Sequence, residues 1–211
     1  TESLEHFQSY VDRGIPLVFF DRVDESSESP KVVIDNYKSG YEATQHLIEQ
    51  GCKRIVMVTA NLNRNVYAQR FKGYKDALLD NKIKFEEKNL LIKDLSEKCG
   101  IEAAHQIMKM KPMPDGAFIT NDFSAAVCMQ TLKEHGINIP EDIAIVGFNN
   151  DAISKIIEPQ LTTINYPGID IGEIAARNLM GLIKNDTSMM HTNTVIVKSD
   201  LIIRKSSLKK K

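Results

Sequence analysis

The segment Ile55-Val-Met-Val-Thr-Ala-Asn-Leu-Asn-Arg64 decides how the rest of the chain is read. Ile55–Thr59 is an apolar run of strand length without in/out alternation, the pattern of a parallel strand covered on both faces. Asn61, Asn63 and Arg64 follow it at once, and Tyr67, Phe71, Tyr74 and Leu78 then recur on one face of a helix. The unit is therefore strand, polar turn, helix.

The same unit repeats on either side. Further apolar runs stand at Leu17–Phe20, Val32–Ile34, Leu90–Ile92, Ala117–Thr120 and Ile143–Gly147. Helical faces lie between them: Tyr41, Thr44 and Ile48, ended by Gly51; Ile101, Ala104 and Met108; and Ala125, Cys128 and Leu132, ended by Gly136. This alternation defines an α/β fold with parallel sheets flanked by helices. The last quarter breaks the rhythm. Pro159–Pro167 reads as extended, Ile171, Ala175, Leu179 and Leu182 mark one more helix, and Val195–Val197 and Leu201–Ile203 are two further apolar runs. Asp24–Ser29 reads as a polar loop and Lys209–Lys211 as a solvated basic end.

Composition limits the possible partners. The 211 residues are 42% hydrophobic and 26% charged, and 27 basic against 28 acidic residues give a net charge of -1. Such a near-neutral body is a poor match for DNA or an anionic membrane, and the apolar runs are far too short to span a bilayer. Three cysteines at irregular spacing (Cys52, Cys99, Cys128) suit neither a disulfide framework nor a zinc site and fit a reducing cytoplasm. The chain opens on Thr-Glu-Ser and runs straight into a helical pattern, so it reads as a piece of a longer protein.

Ligands of open α/β sheets bind at the carboxyl edge of the strands. Each run delivers polar groups there: Asp21-Arg22, Asp35-Asn36, Asn61 with Asn63 and Arg64, Asp94, Asn121-Asp122, and Asn149-Asn150-Asp151. Arg64 and Arg70 add forked donors. Mixed donors and acceptors with balanced charge suit a neutral polyhydroxyl or heterocyclic ligand. Helix capping or turn formation explains Asp122 and Asn36 better than ligand contact does, and Asp94 is divided evenly between the two roles. Asp21 and Arg70 are harder to explain that way: a long polar loop rather than a helix follows Asp21, and Arg70 stands one residue before the apolar face of its own helix.

Enzyme signatures are missing: there is no nucleophile elbow, Walker loop or dinucleotide turn. His6, His46, His105, His135 and His191 lack metal-ligand spacing and read as surface or packing residues. The cysteines read as small core residues, and Gly168-x-x-x-Gly172 as a site of close helix packing. No catalytic residue, metal or cofactor is expected.

Seven stretches together resemble the effector-binding domain of the lactose-repressor/galactose-repressor family of bacterial transcription regulators. They are Gly14–Arg22, Val33–Gly40, His46–Ile55, Arg70–Tyr74, Ile119–Asp122, Ile139–Phe148 and Leu161–Ile164. The resemblance implies a two-lobed periplasmic-binding-protein-like (type I) fold joined by three crossovers, with the first lobe incomplete. Residues 1–35 and 165–192 would form part of the N-terminal lobe, residues 36–164 and 193–211 the C-terminal lobe. It also implies a cytoplasmic homodimer that binds a sugar, or a nucleobase or nucleoside, in the cleft. Operator DNA would be read by a headpiece outside this chain. By position, Asp21, Asp35, Arg64, Arg70, Asn121 and Asn149 match the family's effector-contacting places, Val66 and Tyr166 match further cleft positions, and Leu95 falls near one often held by an aromatic residue. Asn149 stands where the family often has an acid, and Cys52 where a His is frequent. A periplasmic sugar-binding component of a transporter is the alternative; a secretory signal upstream would favour it and a helix-turn-helix would exclude it.

Overall fold

Parallel strands need helical crossovers, and the polar turns between the apolar runs and helical faces supply their ends. A computed structural model of the chain describes residues 5–23, 27–186 and 193–209. The elements follow in the order α1 (Glu5–Val11), β1 (Phe19–Phe20), β2 (Lys31–Ile34), α2 (Asn36–Glu49), β3 (Ile55–Thr59), α3 (Asn65–Asp80), β4 (Leu90–Ile92) and α4 (Glu97–Lys109). After these come β5 (Gly116–Ile119), α5 (Asp122–Glu134), β6 (Ala144–Asn149), α6 (Ile153–Ile156), β7 (Thr162–Asn165), α7 (Gly168–Lys184), β8 (Thr194–Val197) and β9 (Leu201–Ile202). Residues 24–26 of the polar loop, His191 and the last two lysines lie outside the described residues.

The chain divides into two compact units: residues 1–35, 63–66 and 167–199, and residues 36–62, 67–166 and 200–211. The smaller holds a parallel three-stranded sheet in the order β1-β2-β8. Helix α7 lies against it, burying Ile171, Ala175, Asn178 and Gly181 at helical spacing. Phe7 of α1 meets Phe19 of β1 edge to face at 5.4 Å.

The larger unit holds a six-stranded sheet in the order β4-β3-β5-β6-β7-β9, parallel except for β9. Every residue of β3 and β5 is buried, as their unbroken apolar runs require. Val56, Val58, Ala117, Ile119 and Ile145 pack with Ala103, Ala104 and Ile107 of α4 and Ala125, Cys128 and Leu132 of α5. Alternate residues face the other way, where α3 sends the Tyr74 hydroxyl to the Ile55 carbonyl at 2.8 Å. Helices α2 and α3 touch backbone to backbone: a Cβ on Gly40 would lie 2.2 Å from the Arg70 carbonyl oxygen, and one on Gly73 2.1 Å from that of Tyr37.

Three expectations are corrected. The segment from residue 193 was expected in the C-terminal lobe, but β8 pairs with β2 along its whole length, from Lys31–Thr194 to Ile34–Val197. An apolar run of four residues does not encode which sheet edge it joins. Conversely, Asn165 and Tyr166 group with the larger unit, Asn165 pairing with Asn149 in the sheet. Gly172 makes no close helix contact, for a Cβ there would meet no described atom within 4 Å.

The two kinds of glycine should respond oppositely to alanine. Gly40→Ala forces two helix backbones apart and is expected to lower stability by ~1–3 kcal/mol or more. Gly172→Ala gains helix propensity at no steric cost and should raise it by ~0.5–1 kcal/mol. Urea unfolding of both variants checks the signs.

Candidate functional site

The sheet order reverses beside β3, because the chain leaves it for β4 on one side and returns to β5 on the other. A crevice forms at the carboxyl edge of such a switch point. The side chains of the larger unit's rim can be placed one by one.

Arg70 is the best-buried cation of the described residues, with 5% of its surface exposed. It extends from α3, with its guanidinium carbon 3.5 Å from the centroid of the Phe148 ring and 5.4 Å from that of Tyr67. Its Nε donates to Asn36 Oδ1 at 2.8 Å. Burial of a guanidinium requires such partners. Asn36 and Phe148, not anticipated in this role, therefore orient Arg70. No local spacing could have revealed this, since 34 and 78 residues separate them from it.

Phe148 leads directly into Asn149, the last residue of β6. The Asn149 carbonyl accepts from the Tyr166 amide at 3.3 Å, so Tyr166 stands beside it at the end of β7. Asn149 Nδ2 donates to Asp151 Oδ2 at 3.2 Å. Asn149 and Asn150 have φ of +118° and +60°, in the left-handed half of backbone space that side chains disfavour. Such strain collects at functional sites. Arg70 is thus tied to β6 through the Phe148 ring, and Asn149, the next residue of that strand, to Tyr166 through a backbone hydrogen bond.

Asn121 stands at the end of the neighbouring strand β5 and caps α5, accepting from the Ser124 amide at 3.0 Å. Asp122 was expected as a cap or turn residue; Asn121 takes that place. Asp122 is instead fully buried, accepting from the Thr163 hydroxyl at 2.7 Å and the Asp151 amide at 2.8 Å. Desolvation raises its pKa to about 6 against these hydrogen bonds. Asp94 proves to be a turn builder. It accepts from the Ser96 amide at 3.0 Å and the Ser96 hydroxyl at 2.7 Å, and the latter bond holds its carboxyl below the ordinary range. Leu95 has φ of +61° and packs half-buried against the core beside α4 and α5. That contact gives it a structural place that sequence position did not suggest.

In the smaller unit, Asp21 follows β1 with φ of +60° and lies 3.8 Å from Arg22 Nε. Asp35 follows β2 half-buried, Arg64 is exposed, and Val66, in the first turn of α3, is buried.

Other chemistry is scarce. The described residues hold no group of three or more His, Cys, Asp and Glu able to bind a metal, and no helix among them is long and apolar enough to cross a membrane. Burial raises the thiols, to about 11 at Cys52 and about 12 at Cys128. Buried His46 meets the Ser207 hydroxyl at 2.7 Å, and desolvation lowers its pKa. A cavity of about 490 Å³ bordered by Ile48, Lys53, Asn81 and Lys82 lies by the amino end of β3, the wrong edge for this fold.

Residues 44–207 match the periplasmic binding protein-like domain family. The chain belongs to that family and, within it, to the effector-binding domains of lactose-repressor/galactose-repressor regulators. It is 32% identical over 207 residues to the HTH-type transcriptional repressor PurR of Vibrio atlanticus, covering 97% of this chain and 61% of that protein. The crystal structure of transcription regulator CcpA of Lactococcus lactis superposes with a TM-score of 0.89 at 26% identity, over 97% of this chain and 74% of the other. A LacI family regulator from Enterococcus faecium with bound ribose gives 0.85 at 25% identity, over 97% and 75%. These relatives are transcriptional regulators rather than enzymes.

The buried Asp122 has a measurable consequence. Its pKa in the fold, about 6, exceeds the ordinary 3.8. Its contribution to stability is therefore fully present below the unfolded value and lost as pH rises through 6. Between about pH 7.5 and about pH 5 the urea midpoint of the wild type should rise relative to that of Asp122→Asn, which lacks this titration. Parallel midpoints would contradict the assignment.

Proposed function

We propose that this chain is the effector-binding part of a bacterial DNA-binding transcriptional regulator. The observation that carries the reading is the buried guanidinium of Arg70, stacked on Phe148 beside Asn149 at the carboxyl edge of the larger sheet. Directional donors and acceptors held on an aromatic surface are what a neutral, hydroxyl-rich metabolite requires. The effector class is a sugar or sugar-like metabolite, with a nucleobase or nucleoside as the other chemistry that this donor set accommodates. The ribose held by the Enterococcus faecium relative supports the first.

In this reading Arg70 supplies the forked donor. Asn121 and Asn149 present amides, which both donate and accept, and Tyr166 borders them. Asp21, Asp35, Arg64 and Val66 are assigned as effector contacts by their match to the family pattern, and Leu95 by position alone. Asn149 in place of an acid favours a ligand that needs both a donor and an acceptor at that point. Occupancy of the site changes operator affinity in a cytoplasmic homodimer, with a coupling typically of ~1–3 kcal/mol. Operator contact belongs to a DNA-reading segment beyond this chain, since a net charge of -1 gives the present body no basic footprint. No step of catalysis is assigned.

Arg70→Ala in the full-length protein tests the reading. Removing a buried, hydrogen-bonded guanidinium should cost ~2–5 kcal/mol of effector binding, about 30-fold to several thousand-fold in Kd. Calorimetry with ribose, cellobiose, guanine and adenosine measures the loss, and operator binding without effector should persist. Unchanged affinity in the variant would remove Arg70 from the site.

A further inference from the structure

Among the described residues Asp122 is the acidic side chain that is fully buried, yet the effector reading gives it no ligand to touch. Its two oxygens are already occupied. Oδ1 accepts from the Thr163 hydroxyl at 2.7 Å and Oδ2 from the Asp151 amide at 2.8 Å. Gly147 makes the room, for a Cβ there would lie 2.2 Å from Oδ1. Asp151 closes the turn in which Asn149 and Asn150 hold positive φ.

The opposite side of the same turn is held by a second ion. Arg204, from the end of the chain, donates through Nη2 to Asn150 Oδ1 at 2.7 Å. Its Nη1 is fixed on the Leu161 carbonyl at 2.7 Å and the Ser154 hydroxyl at 3.1 Å. Asn150 Nδ2 donates to Asn165 Oδ1 at 3.0 Å, and its amide to Thr163 Oγ1 at 3.3 Å. Strained backbone persists only where its surroundings over-determine it. Asn149, the residue assigned to the ligand, lies within this frame.

We propose that Asp122 is a positioning residue for effector binding: it holds the strained Asn149–Asp151 turn so that the Asn149 amide is presented to the ligand, without touching the ligand itself. The proposal rests on the rim being the effector site. The groups that bear on its charge are few. From the turn, the Asp151 carboxylate disfavours ionisation; from β7 and β6, the Thr163 hydroxyl and Phe148 amide favour it. Arg204 is engaged by Asn150, Ser154 and Leu161. By the same linkage the closed turn, in which burial holds the Asp122 pKa at about 6, is favoured by protonation over an opened and hydrated one, so ionisation as pH rises should loosen the turn. With a pKa of about 6 this change lies within reach of a folded protein.

The test uses full-length protein, with amide hydrogen exchange of residues 149–151 read by mass spectrometry and calorimetry with ribose, cellobiose, guanine and adenosine. Asp122→Asn should speed exchange at 149–151 without affecting β3 or β5, and weaken any probe the wild type binds by about tenfold or more. The wild type's fall in affinity as pH rises through about 6 should vanish in the variant. Unchanged exchange, or altered exchange with unchanged affinity and pH profile, would overturn the proposal. If the variant does not fold, the wild type decides. Its exchange at 149–151, corrected for intrinsic rates, should rise as pH increases through about 6 while the core strands stay constant, and a flat profile overturns the proposal. If no probe binds the wild type, the effector reading loses its support, while the exchange comparison still decides whether Asp122 holds the turn.

Discussion

A guanidinium removed from water must find an aromatic face and hydrogen-bond acceptors, or its burial is strongly unfavourable. Arg70 meets that condition through Phe148 of β6 and Asn36 at the start of α2. The Asn36 contact is made where α2 and α3 approach closely and Gly40 lets one backbone rest against the carbonyl of Arg70 itself. Sheet, helix pair and polar rim are thus linked through one side chain. The same packing that stabilises the larger unit aims the donor that the proposed ligand would use.

The strand ends around Arg70 show how a parallel sheet converts chain direction into a polar surface. The central strands β3 and β5 finish buried, and every strand hands the chain to a turn that must satisfy its own backbone groups. Asn121 does so by capping α5, Asp94 by building the turn before α4, and Asp122 by binding the turn after β6. Side chains of similar chemistry therefore divide between holding the rim and facing outward from it. Positive φ at Asp21, Leu95, Asn149 and Asn150 marks the sharpest of these turns.

The α/β class and most elements were legible because continuous apolar runs and 3.6-residue faces are local signals. The carboxyl-edge rim was legible for the same reason: a polar group directly after a strand is visible in one dimension. What remained hidden depends on tertiary pairing. Nothing in Val195–Val197 distinguishes an edge beside β2 from an edge beside β7. Asp122 and Asn121 are adjacent and chemically alike, so which one caps and which is buried depends on Gly147 leaving space across the sheet. Leu95 turns toward the core through a positive φ that its identity does not suggest. Arg204 and Asn150 meet across 54 residues, beyond the reach of any spacing pattern.

The central claim is that the polar rim organised by Arg70 receives the effector. Selective ¹⁵N-arginine labelling of the full-length protein allows the Nε–H signal of Arg70 to be followed as ribose or another bound probe is added, with the Arg70→Lys variant assigning the resonance. The account predicts a saturable shift of that signal with the same midpoint as binding measured by calorimetry. Saturable binding that leaves the Arg70 signal unmoved would contradict it and direct attention to the cavity beside Ile48 and Lys82 at the other end of β3.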